Sequence, residues 1–183
     1  MPTIGVSVAV PEPWGGELQR YRIALGDEAA RGIPTHITLL PPYDVDEAGV
    51  TALVDHLGAV AARSECFSVH LRGTGSFRPV SPVVFVGVVE GISQCEQLAG
   101  DVLDGPLALD RDFPYHPHVT VAHHLADEEL DRAFADLAHY EAAFEVSEMW
   151  MYRQDPQLGW QPSQAFPLGL RAPAASPGQA PGA

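Results

Sequence analysis

The chain carries one short pattern twice. His36-Ile37-Thr38-Leu39 and His118-Val119-Thr120-Val121 each give a His, an aliphatic residue, a Thr and another aliphatic residue, in that order. Alternation with a period of two is that of a β-strand with one buried and one polar face. Residues i and i+2 of a strand project to the same side. Each copy therefore predicts a half-buried strand with an imidazole and a hydroxyl side by side, opposite the aliphatic pair. A fold that turns both strands toward one space acquires two imidazoles and two hydroxyls there. That set is enough for acid–base chemistry at a phosphate without a metal. With 8 His and 6 Thr in 183 residues, His-x-Thr is expected less than once by chance, so the duplication carries information.

The rest of the chain organises around these two strands. Ile4 to Val10 is an apolar opening strand, and Pro11-Glu12-Pro13 breaks it and starts a helix toward Leu25. The first motif strand is predicted over Thr35 to Leu40, ended by Pro41-Pro42. Asp46 is placed to cap a helix to about Ala62, with Val50, Leu53, Leu57 and Val60 on one stripe. Phe67 to Arg72 reads as a strand, Gly73 to Ser76 as a turn, and Val83 to Val89 as a buried strand. A helix over Ile92 to Leu103 precedes the second motif strand, His116 to Ala122. Asp127 to about His139 is a further helix; Phe144 to Arg153 and Gly159 to Pro167 are strand-like, with a turn at Ser147. Motif strand, helix and further strands thus occur twice. The pattern predicts an α+β fold of two pseudo-symmetric lobes, with mainly antiparallel sheets flanking a central cleft.

Length and an apolar content of 46% suit a single domain over residues 1–171. Residues 172–183 are rich in Pro, Ala and Gly, have little to bury, and are predicted to be a disordered tail. The formal net charge is −14, and all ten basic residues are Arg. A broad nucleic-acid-binding face is therefore not expected, because it requires phosphate neutralisation over a wide area. A small phosphorylated ligand held by a few Arg remains compatible with that charge. Cys66 and Cys95 fit neither a CxxC redox site nor a zinc pattern and read as small buried residues. The N-terminus lacks the features of a secretory signal, and no run of about 18 apolar residues occurs. The expectation is a cytoplasmic protein, without a membrane span, monomeric by default. Abundant Ala, Pro, Gly and Arg with no Lys resembles the product of a GC-rich bacterial gene.

At these residues the chain resembles the 2H phosphoesterase superfamily, and within it the bacterial group of 2′-5′ RNA ligases, which are RNA 2′,3′-cyclic phosphodiesterases. His36 to Tyr43 resembles the first family motif and its exit. Gly73-Thr74-Gly75-Ser76-Phe77 with the strand after it resembles the central segment, and Pro117 to Ala122 the second motif. The resemblance spans roughly residues 4 to 167 and implies two lobes around a water-filled cleft. His123-His124 stand where close relatives of the RNA enzymes often carry Arg or Lys.

Opening a 2′,3′-cyclic phosphate requires one group to take a proton from water and another to give one to the departing ribose oxygen. Histidine suits both roles, because its neutral and charged forms coexist near neutral pH. His36 and His118 are the candidate acid and base, in either order. Thr38 and Thr120 are placed to hydrogen-bond non-bridging oxygens as charge builds on them. Run in reverse of 2′-5′ cleavage, with a 5′-hydroxyl in the place of water, the pair joins a cyclic-phosphate end to that hydroxyl. The candidate ligand is an RNA 2′,3′-cyclic phosphate end or a small nucleotide, with no cofactor. Tyr43, Phe77 and Tyr115 flank the motifs as candidate stacking residues. Arg78, Arg111 and Arg153 are candidate phosphate contacts, and His123 a candidate cleft residue. Two other readings stay open: a metal site built from His116, His118 and His124, which share strand parity, and a non-catalytic nucleotide- or RNA-end-binding module of the same fold. A relative acting on a small cyclic-phosphate signal is a further enzymatic alternative. Of the alternating pairs Met149/Met151 and Trp150/Tyr152, one is core.

Overall fold

The structure is a computed structural model that describes residues 1–106 and 114–169. Arg111 and the predicted tail lie outside the described residues. Among the described residues eight strands form one sheet: β1 (Thr3–Ala9), β2 (His36–Asp44), β3 (Phe67–Ser76), β4 (Val83–Glu90), β5 (His118–His123), β6 (Glu141–Val146), β7 (Glu148–Asp155) and β8 (Gly159–Pro167). Among the described residues four α-helices join them: α1 (Trp14–Leu25), α2 (Glu47–Arg63), α3 (Ile92–Leu103) and α4 (Asp127–Asp136). The strand order is β6-β3-β4-β5-β2-β1-β7-β8, and every pairing between these strands is antiparallel.

Four strands lie on each side of a central seam. The two motif strands, β2 and β5, are the neighbours across it, and their ladder is a single pair, Ile37 with Val119. The expected pseudo-symmetry is visible in the connections. In each half a strand, a helix and the motif strand follow one another: β1-α1-β2 and β4-α3-β5. The helices are exchanged, however. α1 packs against β5 and α3 packs against β2, so each half supports the motif strand of the other. Ile37, Leu39, Val119 and Val121 are at most 1% exposed, whereas His36, Thr38, His118 and Thr120 are half-buried. The motif strands thus obey the alternation read from the sequence.

Helix starts and stops follow local chemistry. The Asp46 side chain accepts from the Gly49 N–H at 2.7 Å and caps α2 as expected. α1 ends in a Schellman turn: Gly26 adopts φ +105°, its N–H donates to the Ile23 carbonyl, and the Asp27 N–H donates to that of Arg22.

Several expected boundaries are corrected. β2 does not stop at Pro41-Pro42 but continues to Asp44. The register explains this: Val6 faces Leu40 while Ile4 faces Tyr43, so β2 carries an extra residue. The prolines sit in that bulge, where the absent N–H is not missed. Likewise Gly73 to Ser76 is not a turn; β3 runs through it, with a bulge between Leu71 and Thr74 and Gly73 at φ +66°. The reversal comes at Phe77 to Pro82, closed by the Phe77 N–H on the Val83 carbonyl. β5 begins at His118 rather than His116, and α4 ends at Asp136, three residues before His139. Met149 and Met151 are the core pair. Among the described residues, no helix is long and apolar enough to cross a membrane.

Candidate active site

The site is built on the seam. Extending the Ile37–Val119 register by one residue each way sets Thr38 across from His118 and His36 across from Thr120. All four project from the face opposite the core, and the two histidines are diagonal neighbours. The ladder is reinforced from a loop: the Tyr115 hydroxyl donates to the Thr38 carbonyl at 2.8 Å, tying the approach to β5 onto β2.

Both imidazoles are held in the same way. His36 Nδ1 lies 2.6 Å from the Pro34 carbonyl, and His118 Nδ1 lies 2.7 Å from the His116 carbonyl. A carbonyl can only accept, so Nδ1 carries the proton in each ring. The neutral forms are thereby fixed with Nε2 as the free acceptor. Burial pushes both rings below the ordinary His value; for His36 the charge of Arg22 adds to this, and for His118 the charges of His116 and His36 do. The bonds to the carbonyls oppose the shift in each case.

A cavity of about 250 Å³ opens on this face. His36, Thr38, Thr120 and His123 line it, so His123 enters the cleft. His118 is not among the lining residues. Its ring stands against Phe77, with centroids 4.9 Å apart, and Phe85, 5.2 Å apart. Phe77 therefore meets a motif histidine directly. Phe85 is able to lie there because Gly75, its neighbour on β3, has no side chain; a Cβ at that position would meet the phenyl ring at 2.4 Å. Tyr43 is half-buried and packs against the core. Arg78 is paired with Asp131 at 2.7 Å and Asp127 at 3.4 Å, and Arg153 with Glu47 at 3.2 Å; neither lines the cavity. His124 leaves the strand at φ +53°, and its ring lies tilted against that of His123 with centroids 3.8 Å apart. Among the described residues no group of three or more His, Cys, Asp or Glu side chains is arranged to hold a metal ion.

Of the lining residues that the sequence did not point to, three carry large or charged side chains into the cavity: Arg22, Tyr152 and Trp160. Trp160 comes from β8 and covers Gly5 of β1, whose absent Cβ would sit 3.4 Å from the indole. Tyr152 comes from β7 and is buried. No short-range pattern joins these residues to the motifs. The one available signal was the Gly26-Asp27 helix stop just after Arg22.

The model of the 2′-5′ RNA ligase superfamily matches residues 10–157, the greater part of the chain. The chain belongs to this superfamily. Among its relatives is a Bacillus cytotoxicus protein named "Putative phosphoesterase", 28% identical over 141 residues that make up 75% of this chain and 80% of that one. A Bacillus cereus protein of the same name is 29% identical over 139 residues, with the same coverage. The fold is that of Escherichia coli LigT. Its crystal structure complexed with NADP+ superposes with a TM-score of 0.67 at 20% identity, covering 92% of this chain and 99% of LigT. LigT complexed with 3′-AMP gives 0.64 at 18% identity over the same shares. This superfamily member therefore has the expected 2H phosphoesterase architecture, with both motif strands at the centre of its sheet.

Proposed function

We propose that the protein is a metal-independent phosphodiesterase that opens 2′,3′-cyclic phosphates with His36 and His118 as general acid and base. The observation that carries this reading is the matched fixing of the two imidazoles. Each donates Nδ1–H to the carbonyl two residues before it, and each keeps Nε2 for a substrate on the same face of the sheet. In-line displacement at phosphorus needs one proton acceptor and one proton donor on opposite sides of a single phosphate; one imidazole, neutral, takes the proton at its free Nε2, and the other, entering the step as imidazolium with Nε2 also protonated, gives one to the leaving oxygen. Thr38 and Thr120 flank the rings and donate to the non-bridging oxygens. Membership of a superfamily named for 2′-5′ RNA ligation fits the same chemistry, since ligation opens the same cyclic phosphate with a 5′-hydroxyl in the place of water.

The substrate is a small nucleotide or the terminus of an RNA, not a long RNA tract. A cavity of about 250 Å³ is at the small end of ligand pockets. A net charge of −14 offers long RNA no broad cationic track. The binding of NADP+ and 3′-AMP by LigT supports a nucleotide as the ligand. The deciding experiment is turnover of a 2′,3′-cyclic mononucleotide with EDTA present. Undiminished turnover is expected. Binding without turnover favours the non-catalytic module, and turnover abolished by EDTA favours a metal enzyme.

A further inference from the structure

Arg22 is 3% exposed, an unusual place for a guanidinium. The Schellman turn at Gly26 folds the chain back so that Asp27 meets it. Arg22 Nε and Nη2 both donate to Asp27 Oδ2, at 3.1 and 2.8 Å. Asp27 Oδ1 is occupied elsewhere, accepting from the Ala30 N–H at 3.3 Å. Among the described residues these are the only hydrogen bonds of the Arg22 side chain. A guanidinium has five N–H groups, so Nη1 keeps both of its donors and Nη2 one. This side chain lines the same cavity as His36, Thr38 and Thr120. Its charge is also felt by His36 and His123, in each case secondary to burial.

A purely structural ion pair does not need this arrangement. Burying two charges is costly, and well-packed apolar residues of similar size often serve stability as well. Here one carboxylate oxygen fixes one edge of the fork, and the remaining donors adjoin the cavity. Fixed, dehydrated N–H donors of this kind are what a phosphate oxygen requires. The other candidate arginines with described positions, Arg78 and Arg153, are engaged by carboxylates outside the cavity.

We propose that Arg22, positioned by Asp27, is the phosphate-binding cation of the cavity, donating from its free N–H groups to the non-bridging oxygens of a bound phosphate ester. The step it serves rests on the phosphodiesterase reading; its capacity to bind phosphate does not. The test is therefore double. Inorganic phosphate is titrated calorimetrically into the full chain, and turnover of a 2′,3′-cyclic mononucleotide is measured in parallel. Two variants are compared with the wild type. Arg22→Lys keeps the charge without the fork, and the paired Arg22→Met/Asp27→Leu removes both buried charges so that neither is stranded, with Tm reporting the fold. Phosphate affinity is expected to fall tenfold or more in the paired variant and less in Arg22→Lys. kcat/KM is expected to fall by about 10²–10³-fold in the paired variant, the range for loss of a fixed donor to developing charge. Failure of wild-type protein to bind phosphate at millimolar concentration, or unchanged affinity in a folded paired variant, overturns the assignment. Phosphate binding that depends on Arg22, in a protein without turnover, upholds the anchor and overturns the phosphodiesterase reading instead. If the paired variant does not fold, Arg22→Lys decides: affinity and kcat/KM both equal to the wild type overturn the assignment, and a loss in both supports it.

Discussion

The two halves of the sheet hold the same motif in different surroundings. In both, the motif His donates Nδ1–H to the carbonyl two residues back. Both lay a large aromatic side chain over a glycine on the polar face, Trp160 over Gly5 and Phe85 over Gly75. The neighbourhoods then diverge. His36 opens onto the cavity and shares it with Arg22, which is paired with the buried Asp27. His118 is packed edge-on against Phe77 and tilted against Phe85, with His116 5.9 Å away. Repetition supplies two equivalent imidazoles, and the non-repeated residues around them make the two inequivalent. One side holds charge and the other holds an apolar wall.

The strongest way to break this comparison is to remove each imidazole in turn. His36→Ala and His118→Ala are each expected to lower kcat by about 10²–10⁴-fold, the range for a general acid or base. Near-wild-type kcat in either variant would show that the two halves are not partners in one reaction. The hydroxyls come next. Thr38→Ala and Thr120→Ala each remove one donor to developing charge, and losses of roughly one to two orders of magnitude in kcat are expected. Equal losses point to a phosphate centred on the seam, and unequal ones to a phosphate shifted toward one half.

Phe77→Ala probes the apolar wall alone. An edge-to-face ring pair contributes about 0.5–1.5 kcal/mol, so a loss in kcat of no more than about tenfold is expected. Admitting water beside His118 also relieves its burial, so that ring should titrate closer to the ordinary His value while His36 stays unchanged. NMR titration of the two imidazoles checks this; parallel shifts of both would contradict the separation of the two environments.

The smallest effect is on stability. Burial holds His36, His118 and His123 below the ordinary His value, so at mildly acidic pH the folded chain binds fewer protons on them than the unfolded chain. Stability from these groups is then complete above about pH 6.5 and is lost as pH falls toward their folded values. Tm should drop by on the order of a few degrees between pH 7.5 and 5.5, and the slope should flatten when His36 and His118 are both replaced by Ala. A slope unchanged in that double variant would assign the acid sensitivity to other groups.

Much of this protein was written locally. The period-two alternation of the motifs was enough to predict which side chains enter the core, because strand geometry leaves only two faces. The cap and apolar stripe placed α2 closely for the same reason: helix termini and faces depend on residues a few positions apart. The turns were misjudged where register decided. Pro41-Pro42 and Gly73 to Ser76 read as breaks, yet the prolines sit in a bulge and Thr74 to Ser76 continue the strand just past one, and only the partner strand defines either. The composition of the cavity wall was beyond sequence reach. Arg22, Tyr152 and Trp160 come from three elements that share no pattern with the motifs, and they meet His36 only because β1, β7 and β8 are ordered beside β2 and α1 packs against β5. The sequence by itself determined the pair of imidazoles, their hydroxyl companions and the strands that carry them. Tertiary structure alone decided that the strands adjoin, that each ring differs in its neighbours, and that a buried arginine stands beside one of them. Short-range periodicity is encoded within a few residues, whereas a shared cavity depends on contacts between segments more than a hundred residues apart.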